Sequence, residues 1–299
     1  MPDYTNFGRM ARLPKWIRCS TKTDEQYARV RKLLSDMQLR TVCEDAHCPN
    51  RVECWNSGTA TVMILGDTCT RDCRFCAVRS GRPLAAETDE PERVVQAAMR
   101  MKLRHLVLTS VTRDDLDDGG AEIFAECIRA VHDKLPETTV EVLIPDFQGD
   151  EESLLTVLRA TPDVLNHNVE TVSRLQAQIR PQASYDCSLG VLRRAAEYHG
   201  TIAVKSGIMV GLGESDDELY ETMADLYNVG CRLLTLGQYL RPGREYWAVD
   251  RYVEPGKFRH YAEKAKMIGF DAVESSPMAR SSYNAAEMVE RVKAVNNAG

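Results

Sequence analysis

The sequence predicts an α/β fold, an incomplete (β/α)6 TIM-like barrel with N- and C-terminal extensions that close its site. Two observations carry this. Six short β-rich runs alternate regularly with segments of helical spacing, and the runs are apolar enough to be buried on both faces, as parallel strands covered by helices are. Six such units stop short of the eight in a complete barrel.

The strand-like runs are residues 59–65, 105–110, 140–144, 163–169, 203–210 and 233–239. Helical spacing follows at 89–100, opened by Glu90, Pro91 and Glu92, and at 121–135, 151–159, 185–199 and 216–229. Further helices are expected at 24–37, before the first strand, and at 255–268, after the sixth. The chain thus divides into an extension over residues 1–56, a barrel core over 57–240 and a C-terminal extension over 241–299.

With 43% hydrophobic and 27% charged residues, the 299-residue chain has the balance of a globular protein with one sizeable core. A net charge of −6 gives no general attraction to nucleic acid. No apolar run approaches the roughly 20 residues that span a bilayer, and the opening residues lack the apolar centre of a signal peptide. A cytoplasmic protein is expected, without membrane or nucleic-acid partners.

Ten cysteines are many for a reducing compartment, where metal or redox chemistry explains them better than disulfides. Cys19, Cys127, Cys187 and Cys231 are scattered and read as small buried thiols. The other six fall between Cys43 and Cys76.

Cys69, Cys73 and Cys76 form a C-x3-C-x2-C set on the loop leaving the first strand, at the end of a βα barrel where active sites are built. Three thiolates suit three irons of a [4Fe–4S] cubane and leave the fourth iron open. An open iron can chelate the amino and carboxylate groups of S-adenosylmethionine and deliver the electron that cleaves it to a 5′-deoxyadenosyl radical. The rival is zinc, which in structural sites usually pairs one C-x2-C with a second pair elsewhere. Upstream, Cys43, Cys48 and Cys54 make a C-x4-C-x5-C set, three ligands that need a fourth from elsewhere. His47 lies inside that loop and keeps a zinc reading open for it.

These two sets, the run from Gly58 to Val78 and the terminal Arg280-Ser281-Ser282-Tyr283 together resemble the lipoyl synthase family of the radical S-adenosylmethionine superfamily. The resemblance extends to Leu13-Pro14-Lys15-Trp16, residues 114–120, 167–171, 205–214 and 237–240, nearly the whole chain. It implies an auxiliary [4Fe–4S] cluster on Cys43, Cys48 and Cys54 whose fourth ligand is a serine oxygen, assigned by the family pattern to Ser282. The residues alone fit Ser281 as well, and they also fit a plain helix start with serine as its cap.

The resemblance further implies insertion of two sulfur atoms, taken from the auxiliary cluster, at C6 and C8 of a protein-bound octanoyl group. The implied partners are octanoylated lipoyl carrier domains or the glycine-cleavage H protein, with an electron donor such as ferredoxin or flavodoxin. Contacts to S-adenosylmethionine or substrate are expected from Gly119 and Gly120, before the second helix, and from Asn168, Glu170 and Lys205 at the fourth and fifth strands. The glycine-rich residues 207–214 read as a close backbone approach to adenine or ribose. Arg241, Arg244 and Arg251 face a carrier protein or simply solvent. The alternatives are another radical sulfur-inserting enzyme and a non-catalytic iron–sulfur carrier.

Overall fold

A computed structural model describes residues 13–198 and 202–288. The N-terminal extension begins with α1 (Glu25–Asp36), started by Asp24, whose carboxylate accepts a hydrogen bond from the Tyr27 amide at 2.9 Å. A two-residue strand β1 (Arg40–Thr41) and the short helices α2 (Val42–Asp45) and α3 (Arg51–Asn56) lead to β2 (Thr61–Ile64), which is buried at all four positions. Beyond it, β3 (Thr68–Cys69) and β4 (Arg79–Ser80) pair across the loop that carries the second cysteine set.

The repeated units follow. Helix α4 (Glu90–Met101) precedes β5 (His105–Ser110), α5 (Ala121–Lys134) precedes β6 (Thr139–Leu143), and α6 (Glu151–Arg159) precedes β7 (Val164–Asn166). Helices α7 (Ser173–Ile179) and α8 (Tyr185–Glu197) precede β8 (Ala203–Val210). Then α9 (Asp216–Asn228) precedes β9 (Leu233–Gln238), and α10 (Pro255–Ile268) precedes β10 (Ala272–Ser276). Helix α9 starts with a reciprocal cap: Ser215 accepts from the Glu218 amide, and the Glu218 carboxylate accepts from the Ser215 amide.

Eight strands form one open sheet in the order β1-β2-β5-β6-β7-β8-β9-β10. Every pair in it is parallel except β1 with β2. Strand order follows chain order, so each helix crosses back over the same face, as right-handed βαβ units do. Val94 and Val95 of α4 and Phe124 and Ile128 of α5 pack in one core with Val62, Ile64, Leu108 and Val140 of the strands. Each such side chain, fully buried, contributes roughly 1.5–3 kcal/mol.

All six expected strands are present, with ends shifted by up to three residues. The sheet also recruits an edge strand from each extension, so the divisions at residues 57 and 240 do not mark its borders. Neither edge was legible. Strand β10 carries Glu274, Ser275 and Ser276 and is only partly buried, whereas β1 and the seven-residue α7 are too short for a periodic signal. Residues 1–12, 199–201 and 289–299 lie outside the described residues, and with them most of the N-terminal lead-in, the last residue of the helix expected at 185–199 and the end of the capped helix expected after Ser282.

Candidate active site

A cavity of about 770 Å³ opens at the C-terminal ends of the parallel strands. Cys43, Cys48, Cys69, Cys73 and Cys76 all line it, together with Ala279, Arg280, Ser281 and Ser282 of the C-terminal extension. Cys54, half-buried on α3, completes the first set without lining the cavity.

The second set is held by a sharp exit from β2. Leu65 and Gly66 both take left-handed conformations, φ 67° and 93°, and the Leu65 amide donates to the buried Glu90 carboxylate at 2.8 Å. Within the loop, Arg71 is 5% exposed. Its guanidinium forks onto Asp114 at 2.7 and 2.8 Å and onto Asp146 at 2.7 and 2.6 Å, tying the loop to the ends of β5 and β6. The Cys69 sulfur accepts from the amides of Arg71 and Thr112 at 3.4 and 3.3 Å. The Arg74 amide and carbonyl bond to Ile179 and Trp247.

The first set sits on two short helices. Thr41 caps α2 through the Glu44 amide at 3.3 Å, and the Cys48 and Cys54 amides close turns onto Cys43 and Asn50. His47, at φ 51°, turns the chain between them and also borders the cavity. Two contacts fasten this loop to the C-terminal extension: Asn50 Nδ2 donates to the Met278 carbonyl at 2.7 Å, and the Tyr283 hydroxyl donates to Glu53 at 3.3 Å.

The two serines of the terminal motif are placed differently. Ser281 Oγ accepts from Asn168 Nδ2 at 2.7 Å, and its carbonyl accepts from Lys205 Nζ at 2.6 Å. Ser282 Oγ instead meets Thr61 Oγ1 of β2 at 2.8 Å, on the side of the first cysteine set. Glycines make this crossing possible. A Cβ at Gly237 would collide with the Ala279 carbonyl, and one at Gly207 would lie 2.7 Å from Asn168 Oδ1 and 3.3 Å from Ser281 Oγ.

Burial favours the neutral form of four of these thiols. It pushes Cys43 and Cys73 up to about 11 and Cys54 and Cys76 to about 12, with the Arg180 charge pulling Cys73 back the other way. Such groups become thiolates when a bound metal compensates their charge. Among the described residues no three His, Cys, Asp or Glu side chains are grouped to hold a single metal ion.

Of the other expected contacts, Asn168 and Glu170 line the cavity. Glu170 has φ 68°, its carboxyl is raised by burial, and it accepts from Asn168 at 3.1 Å. Gly119, Gly120 and Lys205 are not among the lining residues. The glycines adopt φ 61° and 88° and lie against Phe147 and Leu65, and the Asp118 carboxylate accepts from the Gly120 and Glu122 amides at the start of α5. Lys205 points into the barrel, onto Glu141 at 2.9 Å and onto Ser281.

The approach at Gly207 is made by Asn168 and Ser281, and a Cβ at Gly211 would run into Gln238 and Arg251. Gly207, Ile208 and Met209 of the same stretch line the cavity. Arg241 folds back onto the carbonyls of Arg244 and Tyr246, and Arg251 pairs with Glu214 and Asp216. Cys127 and Cys231 are buried as expected and Cys187 partly so; Cys19 is exposed and borders the cavity. Thr61, Arg71 and Asn50 were missed, since nothing in a lone Thr, Arg or Asn marks a long-range partner.

Residues 63–226 match the model of the radical SAM superfamily, and residues 4–48 match that of the N-terminal domain of lipoyl synthase of the radical SAM family. The chain is 53% identical to a lipoyl synthase of Symbiobacterium thermophilum over 93% of this chain and 87% of that one. It is 50% identical to a lipoyl synthase of Oleidesulfovibrio alaskensis over 97% and 99%. Among solved structures, the [FeFe]-hydrogenase maturase HydG superimposes with a TM-score of 0.56 at 16% identity, covering 85% of this chain and 57% of its own. Methylornithine synthase (PylB) does so with 0.50 at 15%, covering 83% and 81%. These structures share the partial-barrel fold, and the sequence relatives show that the chain belongs to the lipoyl synthase family.

Proposed function

We propose that Cys69, Cys73 and Cys76 hold a [4Fe–4S] cluster that binds S-adenosylmethionine, that Cys43, Cys48, Cys54 and Ser282 hold an auxiliary one, and that the chain inserts sulfur at C6 and C8 of a protein-bound octanoyl group. The observation that carries this is one cavity bordered by five of the six clustered cysteines, from both sets, and by the terminal serines. The donor sets fit the clusters: soft thiols buried enough to stay neutral alone, and one hydroxyl as a harder, more readily released fourth ligand. Ser282 is the better ligand because its hydroxyl lies toward β2, whereas both polar groups of Ser281 turn to Asn168 and Lys205.

When bound, the first cluster supplies the electron that splits S-adenosylmethionine, and the auxiliary cluster supplies the sulfur. The chain does the rest. The loop forks of Arg71 fix the second cysteine set, Cys69, Cys73 and Cys76, relative to β5 and β6. Val42, Met63, Val111 and Ile144 give the cavity an apolar wall that receives an alkyl chain and keeps water from a reactive radical. Asn168 and Glu170 offer an amide and a carboxyl to the cosubstrate. No general base is required of the site, because unactivated C–H bonds carry no acidic proton.

The acyl group arrives on a lipoyl carrier domain or the glycine-cleavage H protein, and the electron comes from a donor such as ferredoxin or flavodoxin. No helix among the described residues is long and apolar enough to cross a membrane, in keeping with work in the cytoplasm.

The test is anaerobic reconstitution followed by mass analysis of an octanoylated carrier peptide. Replacing Cys69, Cys73 or Cys76 with Ala should abolish 5′-deoxyadenosine. Replacing Cys43, Cys48 or Cys54 should leave cleavage of S-adenosylmethionine while eliminating lipoyl product. Equal loss of both activities in folded protein would show that the roles are wrongly divided.

A further inference from the structure

We infer that Lys205 is a positioning residue for the auxiliary site: through the Ser281 carbonyl it sets where the Ser282 hydroxyl stands, with Glu141 as its counter-ion. The inference rests on the reading of Ser282 as the auxiliary ligand.

Lys205 and Glu141 face each other on β8 and β6 with side chains 0% and 1% exposed, linked at 2.9 Å. Glu141 is itself held. Its Oε1 also accepts from Asn166 Nδ2 at 3.3 Å, and its Oε2 lies 3.7 Å from His105 Nε2. A buried ion pair of this kind is a poor source of stability, since well-packed apolar residues of similar volume commonly do as well. What the pair provides here is an ammonium aimed at one backbone carbonyl, that of Ser281, at 2.6 Å. Hydrogen bonds from a charged donor are roughly twice as strong as neutral ones.

The neighbouring contacts show what is being fixed. Asn168 holds the Ser281 side chain, and Gly207 and Gly237 let the segment lie directly on β8 and β9. Ser281 is thereby clamped by its carbonyl and its hydroxyl at once. The next residue, Ser282, projects toward β2, where its hydroxyl meets a neutral partner, Thr61. A charged, buried clamp one residue upstream thus leaves the ligand hydroxyl with a contact that a metal can replace, while its position stays fixed.

The experiment uses the full chain carrying Cys69→Ala, Cys73→Ala and Cys76→Ala, reconstituted so that only the auxiliary cluster contributes iron. The readouts are the Mössbauer spectrum and the rate of iron loss to a chelator. Lys205→Met alone strands Glu141 as an unpaired buried carboxylate and can unfold the chain, so Lys205→Met/Glu141→Gln, which removes both charges at similar volume, is measured beside it. Ser282→Ala is the comparator. The expected result is that Ser282→Ala and the double variant both alter the spectrum of the serine-bound iron and speed its loss about tenfold. If Ser282→Ala does so and the folded double variant does not, Lys205 has no positioning role and Ser282 remains the ligand. If Ser282→Ala changes neither readout, Ser282 is not the ligand and the inference falls with it.

Discussion

Asn50 and Met278 are 228 positions apart in sequence, yet the Asn50 side-chain amide donates to the Met278 carbonyl at 2.7 Å. Asn50 is 2% exposed, so water cannot take over this bond if it is lost. It fastens the loop of the first cysteine set to the segment that brings in the serines.

Asn50→Ala should therefore lower stability by about 1 kcal/mol, the net worth of one part-buried hydrogen bond. Chemical denaturation measures the loss. Amide exchange at residues 278–283 should quicken more than exchange in the parallel strands; uniform quickening would mean the bond is not a local fastening.

Arg71→Lys keeps the charge but loses the two-pronged contact with Asp114 and Asp146, and should cost about 2 kcal/mol. Burial raises the Asp146 carboxyl, but the hydrogen bond and charge of Arg71 more than offset this and hold it below the ordinary range. A lowered folded-state value means that the contribution is complete above the unfolded value near ~3.9 and is lost as pH falls through the folded one. The stability difference between Arg71→Lys and the parent protein should thus be constant near neutrality and shrink in strong acid. A difference that grows on acidification would contradict the assignment.

His167 is 2% exposed and is held neutral, its pKa lowered to about 4 chiefly by burial and then by the Arg180 charge. Its Nδ1 donates to the Ile144 carbonyl at 2.9 Å, so Nε2 accepts from Ser188 Oγ at 3.0 Å. The unfolded chain binds the proton first, near ~6.5, so stability falls as pH drops through that value and levels off below the folded one. The loss should be about 3 kcal/mol. His167→Gln should flatten that stretch of the stability curve; an unchanged slope would place its origin elsewhere.

Gly237→Ala puts a methyl group where the Ala279 carbonyl now lies. It should push the serine segment off β9 and cut formation of lipoyl product by at least tenfold, a displacement of roughly 1 Å being enough for about a hundredfold. Formation of 5′-deoxyadenosine should change little, because the second cysteine set hangs from β2, β5 and β6. Parallel loss of both products would show that the segment supports the whole cavity.

Much of the barrel was legible because apolar runs such as residues 203–210 and 233–239 write the period of a buried strand into adjacent positions. The cysteine sets were legible because ligand spacing is local. What stayed hidden is non-local. Lys205 has the composition of a substrate contact and the surroundings of a clamp, and only the β6–β8 juxtaposition separates the two. Gly119 and Gly120 lie tightly against Phe147 and Leu65, a closeness that no local spacing announces. Strand β10 is polar over its partly buried second half, Glu274–Ser276, and so carries no hydrophobic signature.

The contact between Thr61 and Ser282 spans 221 positions. On the ribosome, where domains form from the N-terminus onward, all six clustered cysteines emerge long before the serine that faces them. Throughout that interval the nascent chain offers sulfur donors without their oxygen partner. With Ser282 as the proposed auxiliary ligand, that site is completed late in synthesis, and a product truncated ahead of Met278 would retain every thiol yet lack the hydroxyl.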